Sequence, residues 1–264
     1  MNDISPIVSI IIPTCNSAKT IGRAVNSCIN QTYKNIEIIV IDDGSADNTK
    51  EVLSRYSSDE RFKYIYQENQ ERSAARNHGL DVARGEYIQF LDSDDEIYPT
   101  KIEKQINFLE SHKEYFMVYC DVEYKENKSL IKTFKATERE TTNKEILKRN
   151  FIVINAPLFR QNNIRFTENM NKLEDWEFWI KLVTNKKINF ISEPLCAVYI
   201  EKQLSSQYIE EMIVGEILLY KKLFKIQKYR KYYFTMLFGI LKRIIKLIYH
   251  KVFFKDEILK KEKF

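Results

Sequence analysis

The chain has 264 residues, 44% of them hydrophobic, so it can bury the core of one large domain with an appendage, and this composition excludes a disordered segment. Its four cysteines have no C-x-x-C or paired spacing, which excludes a disulfide framework, argues against a zinc site and indicates a reducing cytosol. Residues 213–264 carry a net charge of +10 and residues 1–212 a net charge of −5, which predicts a mildly acidic domain and a basic tail with separate partners.

The N-terminal stretch MNDISPIVSIIIP has an acidic residue where a secretory signal would have basic ones. Its apolar run extends only about seven residues before Pro13, which is short for a signal peptide. We therefore expect this stretch to form a buried strand, and we expect no export of the protein.

Apolar runs alternate with helical patterns over the first hundred residues. We predict strands at 7–12, 36–41, 62–67 and 86–91, and helices at 17–30, 48–56 and 72–83. The alternation predicts right-handed βαβ units, and therefore an α/β fold with a Rossmann-like, mostly parallel sheet flanked by helices. Because ligands bind at the carboxyl ends of the strands in such sheets, we expect Pro13–Asn16, Asp42–Asp43 and Asp92–Asp95 to meet at one edge.

The stretch FLDSDDEIY places three carboxylates within four residues, directly after an apolar strand. Such a cluster costs repulsion unless a cation offsets it, and a hard divalent ion with oxygen ligands is one interpretation. The other is a solvated turn whose aspartates cap a helix beginning near Pro99, and the residues alone leave both open. An EF-hand is excluded, because Ile97 stands where that loop requires glycine.

Four segments resemble, in order and at matching spacing, the motifs of the family 2 glycosyltransferases. They are IIPTCN, VIDDGS, QERSAARNHGL with GEYIQFLDSDD, and LEDWEFW, and together they extend from about Val8 to Ser206. Each segment is weak evidence by itself, whereas the ordered set is specific. The resemblance implies a GT-A fold with a helical C-terminal extension. It also implies inverting, metal-dependent transfer of a hexose or N-acetylhexosamine from a nucleoside-diphosphate sugar, with UDP the commonest leaving group of the family.

The resemblance assigns roles to the acidic cluster. Asp92 would face the ribose beside Ser93, Asp94 would be the main ligand of a Mn²⁺ or Mg²⁺ ion, and Asp95 would be a supporting or alternative ligand. The metal would neutralise the charge that develops on the leaving diphosphate.

The first two motifs would form the nucleotide pocket. By resemblance Asp43 contacts the base with Asp42 nearby, while Pro13, Thr14 and Asn16 line the pocket. Taken alone, Asp42–Gly44 is better interpreted as a turn closed by an aspartate side chain. This chain has Cys15 where tyrosine is commonest in the family, which offers the base less ring surface and weakens a specific assignment to uracil.

Cationic residues in two segments are candidates for binding the diphosphate. Arg76, in the A-R-N element, would direct its guanidinium at phosphate oxygens, and Arg72 lies on the same helix face. The alternative is a solvated face paired with Glu71 or Asp81. Lys202 stands near the position where relatives often have histidine, and it could bind phosphate but could not ligate a metal while protonated.

The LEDWEFW segment supplies the catalytic candidate. By resemblance Asp175 is the general base that takes the proton of the acceptor hydroxyl, with Glu174 supporting it. Without the family, both carboxylates could equally be cap and dipole partners at a helix start. Trp176 and Trp179 recur with helical spacing and should pack inward.

We divide the chain at residue 212 into a GT-A domain and a basic helical region, 213–264. The domain has a nucleotide-sugar half, about 1–100, and an acceptor half, about 101–212. Between Asp121 and Ile154 the sequence turns polar and irregular, which suits a mobile stretch that recognises the acceptor.

The basic region alternates aromatic and aliphatic residues with lysines and arginines. No run reaches about 18 uncharged apolar residues, so we expect no transmembrane span. The pattern predicts helices lying on an anionic membrane surface, and the alternative is a helical hairpin packed on the domain or in a homodimer. No recognition motif supports nucleic acid as a partner.

Together these features imply a peripheral protein at the cytoplasmic face of the bacterial plasma membrane. Its acceptor would be a hydroxyl of a glycan, free or linked to undecaprenyl diphosphate, in lipopolysaccharide or capsule synthesis. Two other classes remain open. A sugar nucleotidyltransferase would need a glycine-rich loop where this chain has PTCNSAKT, and a non-catalytic scaffold of the same fold would be expected to lose Asp94 or Asp175.

Overall fold

A computed structural model of the chain describes residues 5–136, 143–170, 172–200 and 206–261, and within these ranges the side chains of 143, 206, 207 and 250–261 lie outside the description. Nine strands in these ranges form one sheet in the order β3-β2-β1-β4-β8-β6-β9-β5, with β7 paired to β6. The strands are β1 Val8–Thr14, β2 Ile36–Asp43, β3 Phe62–Gln67, β4 Tyr87–Phe90, β5 Glu96–Ile97, β6 Tyr115–Glu126, β7 Ser129–Phe134, β8 Leu158–Arg160 and β9 Lys187–Tyr199. The first four strands along the chain pair in parallel, as predicted, whereas β8 joins β4 and β6 antiparallel and thereby connects the two halves of the sheet.

Helices cover the sheet and extend beyond it. They are α1 Ile21–Ile29, α2 Thr49–Ser54, α3 Glu71–Val82, α4 Lys101–Ser111, α5 Asn143–Ile146, α6 Glu174–Val183, α7 Ser206–Phe224, a 3₁₀ helix Gln227–Tyr232 and α8 Tyr233–Lys261. The mixed α/β fold class predicted from the sequence is confirmed. Helix α1 begins four residues later than predicted, because the backbone N–H of Ser17 donates to Thr49 Oγ1 at 2.9 Å and the segment before Ile21 forms turns.

The prediction of an irregular stretch after Asp121 was wrong for its first part. Strands β6 and β7 form an antiparallel hairpin, and its two turn residues, Asn127 and Lys128, have φ of 47° and 70°. Positive φ at both positions matches the twist of a tight hairpin. The strand was missed because β7 is mostly exposed and its apolar residues Leu130 and Ile131 are adjacent, so it lacks the alternating pattern of a half-buried strand.

An aromatic cluster fixes α6 against the sheet. The ring of Phe90, the last residue of β4, lies 5.8 Å from that of Phe178 in α6, and Phe178 stacks on Phe166 at 4.0 Å. Trp176 and Trp179 are fully buried, as their spacing predicted. The cluster therefore brings the N-terminus of α6 to the carboxyl end of β4.

Helices α7 and α8 form a hairpin that packs on the domain. The Tyr220 ring lies 5.7 Å from Trp176 of α6, and Arg243 of α8 donates to Glu216 of α7 at 2.8 Å. The packed hairpin foreseen as an alternative to membrane association is thus present, although one face of α8 remains exposed. No helix in the described ranges is long and apolar enough to cross a bilayer.

Candidate functional site

The carboxyl edge of the parallel strands carries a cavity of about 660 Å³. The ends of β1, β2 and β4 and the first half of α3 surround it. Its lining includes eight of the predicted site residues: Pro13, Thr14, Asn16, Asp43, Arg76, Asp92, Ser93 and Asp94. We call this space the donor cavity. The three polar clusters separated in the sequence thus lie side by side at one rim.

The turn after β2 gives its two aspartates different surroundings. Asp43 lines the donor cavity, and its Oδ1 accepts hydrogen bonds from Gln67 Nε2 at 2.7 Å and from the Gln70 N–H at 2.9 Å. Asp42 is not a lining residue. Its Oδ1 closes the turn by accepting from the Ser45 N–H at 2.9 Å, and its Oδ2 accepts from the Tyr64 hydroxyl at 2.8 Å. The turn interpretation therefore holds for Asp42.

Side chains that line the donor cavity also hold the loop after β1 to its neighbouring loops. Asn16, with φ of 51°, accepts from the Ala46 N–H at 2.8 Å through its amide oxygen and so ties the β1 and β2 loops together. Ser93 Oγ lies 2.9 Å from Ser17 Oγ and joins the β4 loop to them. The buried hydroxyl oxygen of Thr14 has no hydrogen-bond partner among the described residues, so it is available to a ligand in the cavity.

Arg76 is buried between two carboxylates. Its guanidinium donates to Asp92 at 2.8 Å and to Glu174 at 3.3 Å, and its Nε atom has no partner in the described chain. Burial lowers the pKa of Arg76, but the two carboxylates more than offset this and raise it. Arg72, exposed at the rim, lies 3.5 Å from Glu174. The solvated face considered from the sequence does not apply to Arg76, and Asp81 instead binds Arg165.

The two candidate metal ligands of the acidic loop lie in different places. Asp94 lines the donor cavity, and its backbone carbonyl accepts from Arg23. Asp95 is buried behind the rim, where its carboxylate accepts from the Tyr199 N–H at 2.8 Å and from the Asn155 side chain. Burial, with the neighbouring Asp92 and Asp94 charges, raises the pKa of Asp95 to about 8. None of these aspartates caps α4, whose N-cap residue is Thr100.

Asn155 holds this loop and was not predicted from the sequence. It is fully buried, its amide oxygen accepts from the Asp92 N–H at 2.9 Å, and its amide nitrogen donates to Asp95. One side chain thereby fixes both ends of the acidic loop. A single asparagine between apolar residues carries no motif, so only the tertiary structure identifies it.

The donor set suits a hard divalent cation that is shared with a ligand. Asp92 and Asp94 are oxygen donors lining one cavity, whereas the described residues contain no group of three or more His, Cys, Asp or Glu placed to hold a metal alone. Magnesium-type sites commonly use one or two carboxylates and complete the shell with substrate phosphates and water. The residues present therefore fit a Mn²⁺ or Mg²⁺ ion bridging to a diphosphate.

Asp175 lies on the other side of Asp92 from the donor cavity. Two smaller cavities, of about 340 and 240 Å³, meet there, and both are lined by Asp92 and Asp175. Asp175 accepts from Asn150 Nδ2 at 2.8 Å and from the Trp176 N–H at 2.7 Å. Burial, with the adjacent Glu174, raises its pKa to about 6. Its bond to the first turn of α6 is cap-like, yet its position between two cavities exceeds what a cap requires.

Lys202 lies outside the described residues. Asn150, Asn155 and Arg23, in contrast, were missed by the sequence analysis and contact site residues directly. The Arg23 guanidinium also lies 3.6 Å from the centroid of the Tyr199 ring, which connects α1 to the end of β9.

The sheet, its carboxylate rim and the adjacent, partly buried acid define a nucleotide-sugar-binding protein of the GT-A type. The sequence profile described as "Glycosyl transferase family 2" matches residues 9–172, and the chain belongs to this family.

Curated relatives agree with the family. The chain is 37% identical over 191 residues to an uncharacterized glycosyltransferase of Haemophilus influenzae, covering 69% of this chain and 74% of that protein. It is 32% identical over 210 residues to "UDP-Glc:alpha-D-GlcNAc-diphosphoundecaprenol beta-1,3-glucosyltransferase WfgD" of Escherichia coli, covering 78% and 82%. The chain spans 64% of the length of a Rickettsia typhi glycosyltransferase to which it is 35% identical over 74% of its own length.

Solved structures share the fold. S. aureus TarS 1-349 in complex with UDP-GlcNAc superposes with a TM-score of 0.69 at 24% identity, covering 89% of this chain and 72% of that chain. The mannosyltransferase PcManGT of Pyrobaculum calidifontis, in complex with GDP-Man and Mn²⁺, gives a TM-score of 0.71 at 14% identity, covering 95% and 74%.

Proposed function

We propose that this glycosyltransferase moves a hexose or N-acetylhexosamine from a UDP-sugar to a glycan hydroxyl with inversion of configuration. The observation that carries the proposal is the position of Asp92. It lines the donor cavity and both cavities that contain Asp175, so a sugar bound beside it would have the diphosphate on one side and the acid on the other.

On the donor side, Asp43, Thr14 and Asn16 would surround the nucleoside, and Asp92 and Ser93 would contact the ribose and the sugar. Asp94 would hold Mn²⁺ or Mg²⁺, which when bound neutralises charge on the diphosphate. Arg76 would contribute a fixed positive charge behind Asp92, since it is buried and already held by two carboxylates. The support for UDP comes from relatives whose names contain UDP-Glc or UDP-GlcNAc.

On the acceptor side, Asp175 would act as the general base. It would take the proton from the acceptor hydroxyl as that oxygen bonds to the anomeric carbon, and the bond to the diphosphate would break with its electron pair leaving on the nucleotide. A pKa of about 6 leaves the carboxylate mostly ionised at neutral pH and raises its basicity. Glu174 would support it by holding Arg76 and Arg72.

The acceptor we propose is a glycan linked to undecaprenyl diphosphate, in the assembly of a bacterial surface polysaccharide such as lipopolysaccharide or capsule. The name of the E. coli relative contains a diphosphoundecaprenol acceptor, which supports this class. Such an acceptor would place the enzyme at the cytoplasmic face of the plasma membrane.

Calorimetric titration with UDP, with and without Mn²⁺, tests the proposal on wild type, Asp94→Ala and Asp175→Asn. We expect metal-dependent binding by wild type and Asp175→Asn and at least about a tenfold weaker binding by Asp94→Ala, since the carboxylate assigned to the metal is lost. Asp175→Asn should bind UDP yet lose about 10² to 10⁴ in kcat, which is the range of general-base catalysis.

Asp81→Ala is the matched control, because Asp81 is an exposed carboxylate on α3 bound to Arg165 away from the cavity. If UDP binds Asp94→Ala as tightly as wild type, the assigned metal site is wrong. Should UDP bind while Asp175→Asn transfers sugar at the wild-type rate, the base assignment fails. Metal-dependent binding without any turnover would favour the non-catalytic alternative.

A further inference from the structure

One face of α8 exposes a continuous band of large apolar side chains. Phe234 is 82% and Phe238 69% exposed, which is unusual for phenylalanine in a packed protein. We call the band the apolar arc. Its members are Tyr233, Phe234, Leu237, Phe238, Leu241, Ile244, Ile245, Ile248 and Tyr249.

The arc is a helical face and not a set of scattered exposures. At ~100° per residue its nine members span roughly 160° of the helix circumference. The opposite side of α8 carries Met236, Gly239 and Arg243, which are buried against α7. A Cβ atom at Gly239 would lie 2.7 Å from the Tyr220 ring, so the two helices approach closely and the orientation of α8 is fixed.

Cations line one edge of the arc. Lys242 and Lys246 follow it on α8, and across from them lie Lys144 and Lys148. Between α5 and α8 is a cavity of about 410 Å³ lined by three of these lysines, Arg243, Phe234 and Phe238. We call it the basic cavity.

Two of the four cations in the basic cavity are already paired. Lys148 binds Glu145, and Arg243 binds Glu216. Lys144 and Lys242 have no ion pair with any side chain in the described part of the chain. The basic cavity therefore offers two uncompensated charges beside two exposed phenylalanine rings.

We propose that the apolar arc inserts into the surface of an anionic phospholipid bilayer and that the basic cavity takes a lipid phosphate. In an interfacial helix, the apolar side chains enter the acyl boundary and the lysines lie level with the headgroups. A juxtamembrane lysine is worth on the order of 1 kcal/mol against an anionic leaflet.

A second copy of the chain is a poorer occupant of this face. Between residues 233 and 249, the polar side chains of α8 beside the arc are Thr235, Lys242 and Lys246, and this stretch has no Asp or Glu. A self-complementary contact on the arc would therefore bring lysines together with no carboxylate on this helix to offset them. A bilayer supplies both an apolar phase and negative charge.

The surface also bears on the site, because one segment connects the two. Arg243 donates to the Lys148 carbonyl at 2.9 Å, Tyr220 donates to the Leu147 carbonyl, and Trp176 Nε1 donates to the Ile146 carbonyl at 2.6 Å. Two residues after Lys148, Asn150 donates to Asp175. Docking through α8 would hold the acceptor side of the protein towards the membrane.

Co-sedimentation with vesicles tests the proposal without requiring catalysis, so its failure is distinguishable from failure of the proposed transfer reaction. The full chain is mixed with vesicles of phosphatidylcholine alone or of equal parts phosphatidylcholine and phosphatidylglycerol. We expect binding to the anionic vesicles, weakened by salt, and at least about tenfold weaker binding to the neutral ones.

Two double variants test the two parts of the surface. Phe234→Ser with Phe238→Ser removes the centre of the arc, and Lys144→Glu with Lys242→Glu reverses the free charges. Each should weaken binding to anionic vesicles at least about tenfold. The matched controls are Leu130→Ser with Ile131→Ser, two exposed aliphatics on β7, and Lys63→Glu with Lys128→Glu, all of which should bind like wild type.

Three results would overturn the proposal. One is equal binding to neutral and anionic vesicles, and another is binding by both arc and charge variants at the wild-type level. The third is a dimer of the wild type in sedimentation velocity that the phenylalanine variant abolishes, because a second copy would then cover the arc. Leu241→Ser with Ile245→Ser provides a second arc variant should the first fail to fold.

Discussion

At the residue scale, two asparagines hold the acids that the motifs identify. Asn155 fixes the backbone of Asp92 and the carboxylate of Asp95, and Asn150 donates to Asp175. The hydrogen bond from Asn150 stabilises the ionised form of Asp175, so it acts against the burial that raises the pKa of that acid. Asn150 therefore lowers the pH down to which the proposed base stays ionised.

Replacing Asn150 by leucine should raise the pKa of Asp175 further above its ordinary value. A bond of this kind to a charged acceptor contributes roughly 1.5 kcal/mol or more, and one pKa unit corresponds to ~1.4 kcal/mol. Because the base must be ionised, the acid limb of the pH profile of kcat/KM should move up by about one pH unit. The profile is measured with a fixed donor and acceptor.

Asn163→Leu is the matched control, since Asn163 is exposed and has no hydrogen bond to a site residue in the described part of the chain. If the acid limb of Asn150→Leu coincides with that of wild type while kcat falls, Asn150 has a structural role only. A limb that moves towards lower pH would contradict the assignment of Asp175 as the titrating base.

The acids themselves could be predicted from the sequence, and the asparagines could not. Asp43, Asp92, Asp94 and Asp175 lie in ordered motifs that follow strands or begin a helix, and local pattern is enough to locate them. Asn150 and Asn155 act through contacts 25 and 63 residues away in the chain, which no local pattern encodes. The different surroundings of Asp94 and Asp95 likewise depend on the distant Asn155 and Tyr199.

At the element scale, the aromatic cluster decides where the acids meet. Phe178 contacts Phe90, Phe159, Phe166 and Trp179, and these rings join β4, β8 and α6. The buried apolar runs made the parallel half of the sheet, β1 to β4, predictable from the sequence. The exposed strand β7 and the antiparallel pairing of β8 could not be predicted, because these segments lack a periodic apolar pattern.

Phe178→Ala should therefore lower the free energy of unfolding by about 3 to 5 kcal/mol, through lost burial and a residual cavity. In thermal unfolding this corresponds to a decrease in Tm of roughly 6 to 20 °C for a chain of this size. Phe234→Ala is the matched control with the same atoms deleted from an exposed position, and its Tm should stay within about 2 °C of wild type. Equal effects at the two positions would show that the cluster does not hold β4 and α6 together.

At the scale of the whole molecule, the C-terminal region is part of the domain core. Ile213, Leu219, Tyr220 and Leu223 of α7 are buried, and Tyr220 contacts Trp176 of α6. The division at residue 212 was drawn from the change in charge. It therefore marks a change in the charge of the surface, and it separates these buried residues of α7 from the domain core to which they belong. Charge composition locates solvent-facing residues, and it cannot reveal which apolar residues between them are buried.

A chain ending at residue 212 should consequently be much less stable than the full chain, or should aggregate, because it exposes Trp176 and the rings around it. A chain ending at residue 232 keeps α7 and should lose less stability, since Met236 and Arg243 are the main buried side chains in the described part of α8. Thermal unfolding of the three lengths gives the order. Unfolding of the 212-residue chain at the temperature of the full chain would instead establish residue 212 as a true domain boundary.

Cys15 lies at the wall of the donor cavity, at the position where tyrosine is commonest in the family, and it offers a natural site for a label. Cys15 is exposed beside Asp43 and Asn16, whereas Cys28, Cys120 and Cys196 are buried. Partial desolvation by the cavity wall and the nearby carboxylates raise the pKa of the Cys15 thiol, which slows its alkylation at neutral pH but leaves it the accessible one of the four. A thiol-reactive fluorophore would therefore label the natural chain at one position, and shielding of that position by a bound nucleotide would report occupancy without any engineered residue.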